Sequence, residues 1–499
     1  MRQSPPILLW FRRDLRLSDH AALREAASSG RPVLPVFIWD DPGTAKGTGE
    51  HRRAPGAASR WWWRHSVAAL AEALEREGSR LVIRCGPTLE TLLELAREVG
   101  ADRVVAHALY EPIGPRSEAA FREACRTDGV RVEFLDGCLL TPPNRLRTGG
   151  GGPYRVFTPY WRKLITEPIA PPLRKPARWL SPRRWPAGTG PEGRDVLPAA
   201  ERSAGFAGTW TPGEAGGRRR LDRLVRRVLD EYDEAREIPG CDGTSRLSPH
   251  LHFGEVSARQ VWHRVLARDE RDRRAGRGDG FLRQLAWREF AHHLLYHFPR
   301  TTSQPLRSEF TRFPWRSAPA QEERWREGQT GIPIIDAGMR QLKETGWMHN
   351  RVRMLVASFL TKNLRIRWQS GAAWFWESLV DADLANNTLG WQWVAGCGAD
   401  ASPYIRIFNP VTQGERHDGA GAYVRSFVPE LAGLPDAHIH RPSAAPPDAL
   451  RRAGVRLGTG YPRPMVDLAA SREEALDAYG RVRPAVATGL RGGRRDRDR

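Results

Sequence analysis

The sequence predicts an α/β domain followed by an all-helical domain. Three observations support this prediction. Short apolar strands alternate with amphipathic helical patterns over the first 135 residues, which is typical of a parallel, Rossmann-like sheet. From residue 218 onward the pattern is helical throughout. A Pro- and Gly-rich stretch separates the two parts, and a chain of 499 residues is too long for one ordinary domain.

The α/β domain is expected over residues 1–135. Apolar runs predict strands, and the stretches between them repeat apolar residues with helical spacing. The predicted strands are ILLWFRR (7–13), PVLPVFIW (32–39), LVIRC (81–85) and RVVAHALY (103–110). The predicted helices cover 19–29, 59–77 and 88–99.

The rest of the chain divides into three segments. Residues 136–217, with TGGGGP and EPIAPPLRKP, predict a long connector with little regular structure. Residues 218–482 predict the helical domain, with amphipathic helices at 220–236, 281–297 and 350–366. The tail at 483–499 contains RGGRRDRDR and is expected to be disordered.

The composition limits the classes of partner and the cellular compartment that are expected for this chain. The net charge of +20 favours a polyanion such as nucleic acid, although only five of the 78 basic residues are Lys, and a genome-wide bias toward Arg is the alternative. Five scattered cysteines without a CxxC pair favour reduced thiols in a cytosol and argue against a disulfide frame or a zinc site. Neither a membrane span nor a secretory signal is predicted.

Two segments have residues suited to phosphate. GTSRLSPHLHFGEVS (243–257) places Thr244, Ser245 and Ser248 around Arg246 before a helix. Hydroxyls, backbone N–H groups and one Arg suit a pyrophosphate, and a plain helix cap is the alternative. SPYIRIFNPVTQGER (402–416) is loop-rich and supplies Arg406, Gln413 and Arg416, which suit phosphate contacts.

Two helical segments could form a recognition wall. In the helix containing WREF, Gln284 and Trp287 share a face with Arg288 at its edge, and a core Trp with a surface Arg is the alternative. GWMHNRVRM (346–354) places Asn350 and Met354 on one face, flanked by Arg351 and Arg353. His349 has no carboxylate or second His at ligand spacing, so no metal site is predicted.

DADLANNTLGWQW (381–393) combines fixed charges, amides and indoles. A core would exclude the charges, and a solvent-facing surface would exclude the indoles. WFRRDLRLSDHAAL, GTSRLSP, WREF, GWMHNR, DADLANNTLGWQW and PYIRIFNPVTQGE occur in this order over about 400 residues. In these motifs the chain resembles the photolyase/cryptochrome family, and within it most closely the bacterial cyclobutane pyrimidine dimer (CPD) DNA photolyases.

The resemblance implies that the α/β domain holds an antenna chromophore and that the helical domain binds one FAD and DNA. Arg353 would pair with Asp381, and Asn387 would face the flavin N5. The implied cofactor-binding residues are Tyr232, Thr244, Ser245, Arg246, Leu247, Ser248, Phe281, Arg353, Asp381, Ala382, Asp383 and Asn387. The implied DNA- and lesion-binding residues are Arg236, Gln284, Trp287, Arg288, Asn350, Arg351, Met354, Arg406, Gln413 and Arg416.

The resemblance also implies a reaction. Photoexcited reduced flavin would donate an electron to a pyrimidine dimer flipped out of the DNA helix, and the dimer would split. Trp315, Trp368 and Trp391 match three tryptophans that carry electrons to the flavin in this family, and core packing is the alternative for each. Trp393 is interpreted as packing.

Some residues depart from the family pattern. Gln284 stands where dimer-repairing members usually carry an acid, which resembles the (6-4) branch, but that branch has a second His where this chain has Asn350. Dimer repair is therefore expected first, with a cryptochrome photoreceptor or (6-4) repair as alternatives. GAASRWWWRHS (56–66) favours 5,10-methenyltetrahydrofolate as the antenna, ahead of a deazaflavin or none. A cytoplasmic monomer acting on UV-damaged DNA is expected.

Overall fold

The computed structural model describes residues 4–40, 54–112, 114–188, 204–271, 276 and 278–482. The tail for which disorder is predicted, 483–499, lies outside the described residues. Within the described ranges, no helix is long and apolar enough to cross a membrane.

The N-terminal region contains one five-stranded parallel sheet, in the order β3-β2-β1-β4-β5. The strands are β1 (Ile7–Phe11), β2 (Val33–Trp39), β3 (Val82–Cys85), β4 (Arg103–His107) and β5 (Arg131–Leu135). The four predicted strands are confirmed, and β5 was not predicted. β5 lies at the sheet edge, and charged residues alternate with apolar ones along it. One of these charged residues, Glu133, pairs with Arg103 of β4. It therefore lacks the continuous apolar run that identified the others.

Four helices cover the sheet: α1 (Ala21–Ser28), α2 (Ala57–Arg76), α3 (Thr88–Val99) and α4 (Gly114–Thr127). Buried residues of both sheet faces form two separate apolar clusters, as expected for a parallel sheet covered on both sides. The chain runs from β1 outward to β3 and then returns to place β4 on the other side of β1. The carboxyl ends of β1 and β4 therefore form the point where strand order reverses, where α/β sheets bind ligands.

The connector has more regular structure than predicted. It contains α5 (Phe157–Leu164), α6 (Ala204–Thr209) and the start of α7 (Glu214–Arg223). In α5 the residues Phe157, Tyr160, Trp161 and Leu164 are buried on one face. The expectation of little regular structure was wrong for these stretches, because a single amphipathic turn or two between prolines is too short to stand out in the sequence pattern.

The remaining described elements of the C-terminal region are helical. They are α8 (Tyr232–Ala235), α9 (Ser248–His252), α10 (Ala258–Arg271), α11 (Asp279–His297), α12 (Pro319–Arg326), α13 (Pro333–Thr345), α14 (Asn350–Ser358), α15 (Trp368–Ser378), α16 (Leu384–Ala395), α17 (Pro410–His417), α18 (Ala422–Phe427), α19 (Asp436–Ile439), α20 (Pro447–Arg452) and α21 (Leu468–Gly480).

Two predicted helices are interrupted by π-helical turns. The helix predicted at 220–236 ends as α7 at Arg223, continues through a π turn at 224–228 and a 3₁₀ turn, and resumes as α8. The helix predicted at 350–366 ends as α14 at Ser358 and continues as a π turn at 359–363. Such turns are frequent near functional sites, and the apolar spacing of the sequence does not reveal them.

Helices α15 and α16 pack closely enough to exclude a side chain between them. A Cβ added at Gly371 of α15 would lie 2.0 Å from the Trp391 ring of α16. Gly371 therefore allows the Trp391 indole to lie directly on the backbone of α15. This contact holds the helix that carries the DADLANNTLGWQW motif against the main apolar core of the domain.

Candidate functional site

Two buried carboxylates stand at the start of α16. Asp381 accepts hydrogen bonds from Nη2 of Arg353 at 3.0 and 2.9 Å, so the expected Arg353–Asp381 pair is present. Asp383 is the N-cap of α16, and its Oδ1 accepts the backbone N–H of Asn386 at 2.9 Å. Only 8% and 6% of the two aspartates are exposed. Ala382, between them, is buried as well.

Asp383 also faces two histidines. Its Oδ2 lies 3.3 Å from Nδ1 of His252 and 3.5 Å from Nε2 of His292. The second nitrogen of His292, Nδ1, lies 3.0 Å from the Arg288 carbonyl oxygen and must donate to it. Both nitrogens of His292 therefore face acceptors, which favours the imidazolium form.

The pKa shifts agree with this geometry. Burial disfavours the charged form of both groups, but the charge of His292 and the hydrogen bond from His252 hold the pKa of Asp383 well below its usual range. In turn, the Asp383 carboxylate raises the pKa of His292 despite burial. The start of α16 thus holds an ionised carboxylate beside an imidazole whose raised pKa favours the charged form, in a buried setting.

A cleft between the two regions reaches this pair. The space in the cleft that is not occupied by atoms is about 460 Å³, and part of it is open to solvent. Its walls include His252, His292 and Asp383 from the helical region and Tyr110 and Glu111 from the loop after β4. Arg13, two residues past the end of β1, also lines the cleft and pairs with Glu111. The cleft therefore lies at the carboxyl ends of β1 and β4, where the strand order reverses.

The Thr244–Ser248 stretch forms a loop leading into α9. Arg246 has a φ of 51°, a left-handed backbone that non-glycine residues rarely adopt. The guanidinium of Arg246 lies 5.3 Å from the centre of the Trp347 ring, and its buried Nε has no hydrogen-bond partner, although Asp242 Oδ1 is 3.2 Å away. Ser245 Oγ accepts the N–H of Leu247, which is buried.

The other expected cofactor residues lie on three helices. Tyr232 of α8 and Phe281 of α11 are both buried, and their rings meet edge to face at 5.2 Å. Asn387 of α16 donates from Nδ2 to the Ala372 carbonyl at 2.9 Å. This bond fixes the orientation of the Asn387 amide.

The expected lesion residues form two groups. On α14, the exposed Asn350 lies beside Met354, with Nδ2 3.9 Å from Sδ. On α11, Gln284 and Trp287 are half-buried, and Trp287 stacks on Phe157 of α5 at 3.9 Å and 9°. One face of the Trp287 ring is therefore already covered by the connector.

Arg288 is not brought together with these residues. Its Nη1 lies 2.7 Å from Glu289 Oε1, and its Nη2 donates to the Cys138 carbonyl at 3.3 Å. These partners turn its guanidinium to the cleft wall beside His292. Helical spacing placed Arg288 at the edge of the Trp287 face, but Glu289 and the connector determine where the long side chain ends.

A group of cationic residues surrounds the first turn of α14. Arg351 and Arg236 both pair with Glu237. Burial and the nearby charges of Arg236 and Arg416 lower the pKa of Arg351. Arg406 and Arg416 are exposed, and Gln413 is half-buried on α17.

The three tryptophans share one apolar region. Trp368 and Trp391 belong to the core of the helical domain, and Trp315 packs against it. Trp391 contacts the rings of Phe375 at 5.0 Å and Trp325 at 6.3 Å. Trp315 contacts Phe313 at 4.4 Å. Among the described rings, no stacked or edge-to-face pair joins two of the three indoles.

Sequence reasoning missed several residues of this site, chiefly His252, His292, Glu237 and Phe157. The HLHF and AHHLL segments offered histidines, but nothing in their spacing pointed to an aspartate 131 residues away. Glu237 directly follows the helix predicted at 220–236, and nothing distinguished it from the other acids nearby. These four residues become visible only through their partners.

A second buried aspartate with two histidines lies inside the α/β region. Asp14 Oδ2 lies 2.8 Å from Nδ1 of His107 and 3.0 Å from Nε2 of His20. The outer nitrogen of each ring accepts a backbone N–H, from Ala21 for His107 and from Leu23 for His20. Although these three residues have metal-ligand chemistry and lie within 4.8 Å, backbone donors use the outer nitrogens, which indicates a structural cluster.

Comparison with known proteins gives consistent matches. The family model for DNA photolyase matches residues 7–177, and the model for the FAD binding domain of DNA photolyase matches residues 281–481. The chain is 46% identical to a deoxyribodipyrimidine photo-lyase of Agrobacterium fabrum over 486 residues, which cover 96% of this chain and 99% of that protein.

Two further relatives are similar over nearly the whole chain. The crystal structure of a bacterial class III photolyase from Agrobacterium tumefaciens superposes with a TM-score of 0.91 at 45% identity, covering 97% of this chain and 98% of that one. Cryptochrome-2 of Arabidopsis thaliana is 36% identical, covering 97% of this chain and 80% of that protein.

Proposed function

Because the chain belongs to the photolyase/cryptochrome family, we propose that it is a light-dependent DNA-repair lyase that splits cyclobutane pyrimidine dimers. One observation carries the proposal. Helix α14 bears Arg353, which holds Asp381 inside the domain, and also the exposed Asn350 beside Met354. A nine-residue helix thus joins the proposed cofactor wall to the proposed lesion face.

The residues present fit an FAD. Arg246 supplies a guanidinium to a hydroxyl-bearing loop, which suits the diphosphate; its buried Nε makes no hydrogen bond, although it lies 3.2 Å from Asp242 Oδ1. Tyr232, Phe281, Leu247 and Ala382 supply buried apolar or aromatic surface. FAD, when bound and reduced, supplies the electron that light drives into the dimer.

The chain's own residues provide orientation and charge. Arg353 fixes the Asp381 carboxylate, and the hydrogen bond to Ala372 fixes the amide of Asn387. His252 and His292 keep Asp383 ionised. Preorganised groups of this kind act strongly in a site from which water is excluded.

On the DNA side, Asn350, Met354, Gln284 and Trp287 would contact an extruded dimer. A damaged base pair costs less to extrude than an intact one, and apolar or aromatic side chains take up the exposed ring surface. Arg236, Arg351, Arg406, Gln413 and Arg416 would contact phosphates, which makes binding sensitive to salt. Arg288 remains a proposed lesion contact, but its pairing with Glu289 favours a role at the cleft.

Trp391, Trp368 and Trp315 are proposed to carry electrons that keep the cofactor reduced. Their shared apolar region supports this role, because burial keeps water and competing donors away from Trp391 and Trp368, which are each 2% exposed. Trp315 is half-buried and would be the end of the path nearest solvent.

The cleft between the two regions is proposed to hold an antenna chromophore, 5,10-methenyltetrahydrofolate first and a deazaflavin second. Its position at the strand-order reversal and its lining by both regions support this assignment. We further propose a cytoplasmic monomer.

A cryptochrome-type photoreceptor is the second candidate, favoured by the 36% identity to cryptochrome-2 over nearly the whole chain. A (6-4) photolyase is the third, favoured by Gln284. The test uses purified, reduced protein with UV-irradiated oligo(dT) under blue light. Recovery of thymine absorbance, absent in a dark control, is expected. Photoreducible flavin without recovery would contradict dimer repair and lead to (6-4) DNA as the next substrate.

A further inference from the structure

One carboxylate stands among the cations at the start of α14. Glu237 pairs with Arg351, 114 positions away, and its Oε1 lies 3.3 Å from Nη2 of Arg236. Among the described residues, no other carboxylate forms an ion pair with Arg236, Arg351 or Arg416. Glu237 therefore joins two of the proposed phosphate-binding arginines while DNA is not bound.

These groups remain within reach of a ligand. The side chains of Arg351, Arg236 and Glu237 are 20%, 29% and 30% exposed. The buried Nε atoms of both arginines have no hydrogen-bond partner, so Glu237 satisfies only the outer ends of the two guanidinium groups. A phosphate offers more oxygens than one carboxylate and suits two guanidinium groups better.

We propose that Glu237 is an internal competitor for DNA phosphate, which binds Arg351 and Arg236 in the free protein and is displaced when the DNA backbone arrives. The proposal rests on the DNA-binding function proposed above. It gives the acid next to the phosphate-binding arginines a role in regulating affinity.

Electrostatic repulsion among the arginines sets the direction in which Glu237 changes the affinity for DNA. Arg236 and Arg416 crowd Arg351 with like charge, so a counter-charge is favourable in the free protein. DNA must break the ion pair before it gains the same arginines, and this cost lowers the affinity. Phosphate contacts carry no sequence information, so damaged and undamaged DNA should be affected alike.

The experiment measures Kd for UV-irradiated and undamaged duplexes in the dark, so that no repair occurs. Glu237→Gln should bind both duplexes about fivefold more tightly, which corresponds to ~1 kcal/mol. Glu234→Gln is the matched control. It makes the same change in net charge three residues away, where Glu234 is exposed, and should change Kd less than twofold.

Two further variants isolate the contact. Glu237→Asp keeps the charge but shortens the side chain, and an intermediate gain is expected. In an Arg351→Gln background, Glu237→Gln should lose most of its effect, because the arginine that it releases is gone. Thermal unfolding of each variant checks that the fold is retained.

Weaker binding by Glu237→Gln, or a gain equal to that of Glu234→Gln, would overturn the proposal. The first result would show that Glu237 positions the arginines for DNA, and the second that only net charge matters. If the unaltered protein did not prefer the irradiated duplex, the proposed repair function would fail instead. The two failures are therefore distinguishable.

Discussion

Each of the two regions contains a buried aspartate between two histidines, yet the two clusters differ in protonation. In the α/β region, the outer nitrogens of His20 and His107 accept backbone N–H groups, which requires neutral rings beside Asp14. In the helical region, the outer nitrogen of His292 donates to a carbonyl while its other nitrogen faces Asp383. The same three residue types thus favour neutral rings in one place and a protonated ring in the other.

The difference teaches that the second partner of each imidazole decides its charge. Burial lowers the pKa of His107 to about 4, whereas Asp383 raises the pKa of His292 against the same effect of burial. The first cluster is fully buried, and backbone donors use its outer nitrogens, as expected of a structural cluster. The second lines a cleft and adjoins the proposed cofactor wall.

The largest expected effect separates the two aspartates. Asp14→Asn should lower the free energy of unfolding by about 3 kcal/mol, because an amide in place of the carboxylate leaves buried N–H donors of the cluster without an acceptor. Flavin content per folded molecule should stay unchanged. Denaturant unfolding and flavin absorbance measure the two quantities.

Asp383→Asn serves as the matched variant in the other cluster and should reduce flavin retention about tenfold, or ~1.4 kcal/mol. Loss of flavin in Asp14→Asn but not in Asp383→Asn would reverse the assignment of structural and cofactor-side roles.

The pH dependence of stability should also separate the clusters. The pKa of His107 falls from its usual 6.5 to about 4 on folding, so its contribution is complete above pH 6.5 and is lost as pH falls toward 4, on the order of 3 kcal/mol. The pKa of His292 rises on folding, so its contribution is present below pH 6.5 and is lost as pH rises through the folded value.

Thermal unfolding of His107→Asn and His292→Asn between pH 4.5 and 9 would measure these pH-dependent contributions to stability. His107→Asn should remove part of the acid loss, and His292→Asn part of the alkaline loss. Since His293 and His349 also have pKa values lowered to about 4, chiefly by burial, the difference from the unaltered protein is the relevant quantity. The contrast would be refuted if His107→Asn reduced the alkaline loss of stability and His292→Asn reduced the acid loss.

Trp391 lies on α16, the helix that Asp383 caps. Trp391→Phe tests whether this helix carries electrons to the flavin in addition to its place beside the Asp383 cluster. This change should slow flavin photoreduction about tenfold, equal to ~1.4 kcal/mol of activation free energy, because the first step of the proposed path is lost. Repair by chemically reduced protein should be retained. Trp393→Phe, two positions on, is the control and should leave photoreduction unchanged. Loss of repair by pre-reduced Trp391→Phe would contradict the electron-path role.

The smallest effect concerns the lesion face. Gln284→Glu should hold or raise the affinity for dimer-containing DNA by up to about threefold, or ~0.7 kcal/mol, because an acid can accept a hydrogen bond from a thymine edge. Dark binding to irradiated oligo(dT) measures it, with undamaged oligo(dT) for comparison. A large loss would indicate that the Gln284 amide itself selects a different lesion.

Much of the fold was predictable because its signals are local. Strands β1 to β4 are continuous apolar runs, and the principal helices carry regular amphipathic spacing. β5 was missed because an edge strand alternates charge with apolar residues, and α5 because it is short and lies among prolines. The π turns in the helices predicted at 220–236 and 350–366 change hydrogen bonding without changing the apolar pattern.

The site was predictable only through its motifs. The Arg353–Asp381 pair followed from the family resemblance and is confirmed by the structure. Arg288 shows the limit of this reasoning, since its long side chain follows Glu289 to the cleft. The roles of the three tryptophans stay predictions, because their shared apolar region is compatible with packing as well as with electron transfer.

By itself, the sequence determined the two-domain class, most of the strands and helices, the basic character of the chain and its family, because periodicity, composition and motif order are properties of neighbouring residues. Only the tertiary structure decided that the pKa of His292 is raised and that of His107 lowered, that Glu237 binds Arg351, and that a cleft reaches Asp383. These features depend on pairs 91 to 131 positions apart, and burial sets how strongly each pair interacts.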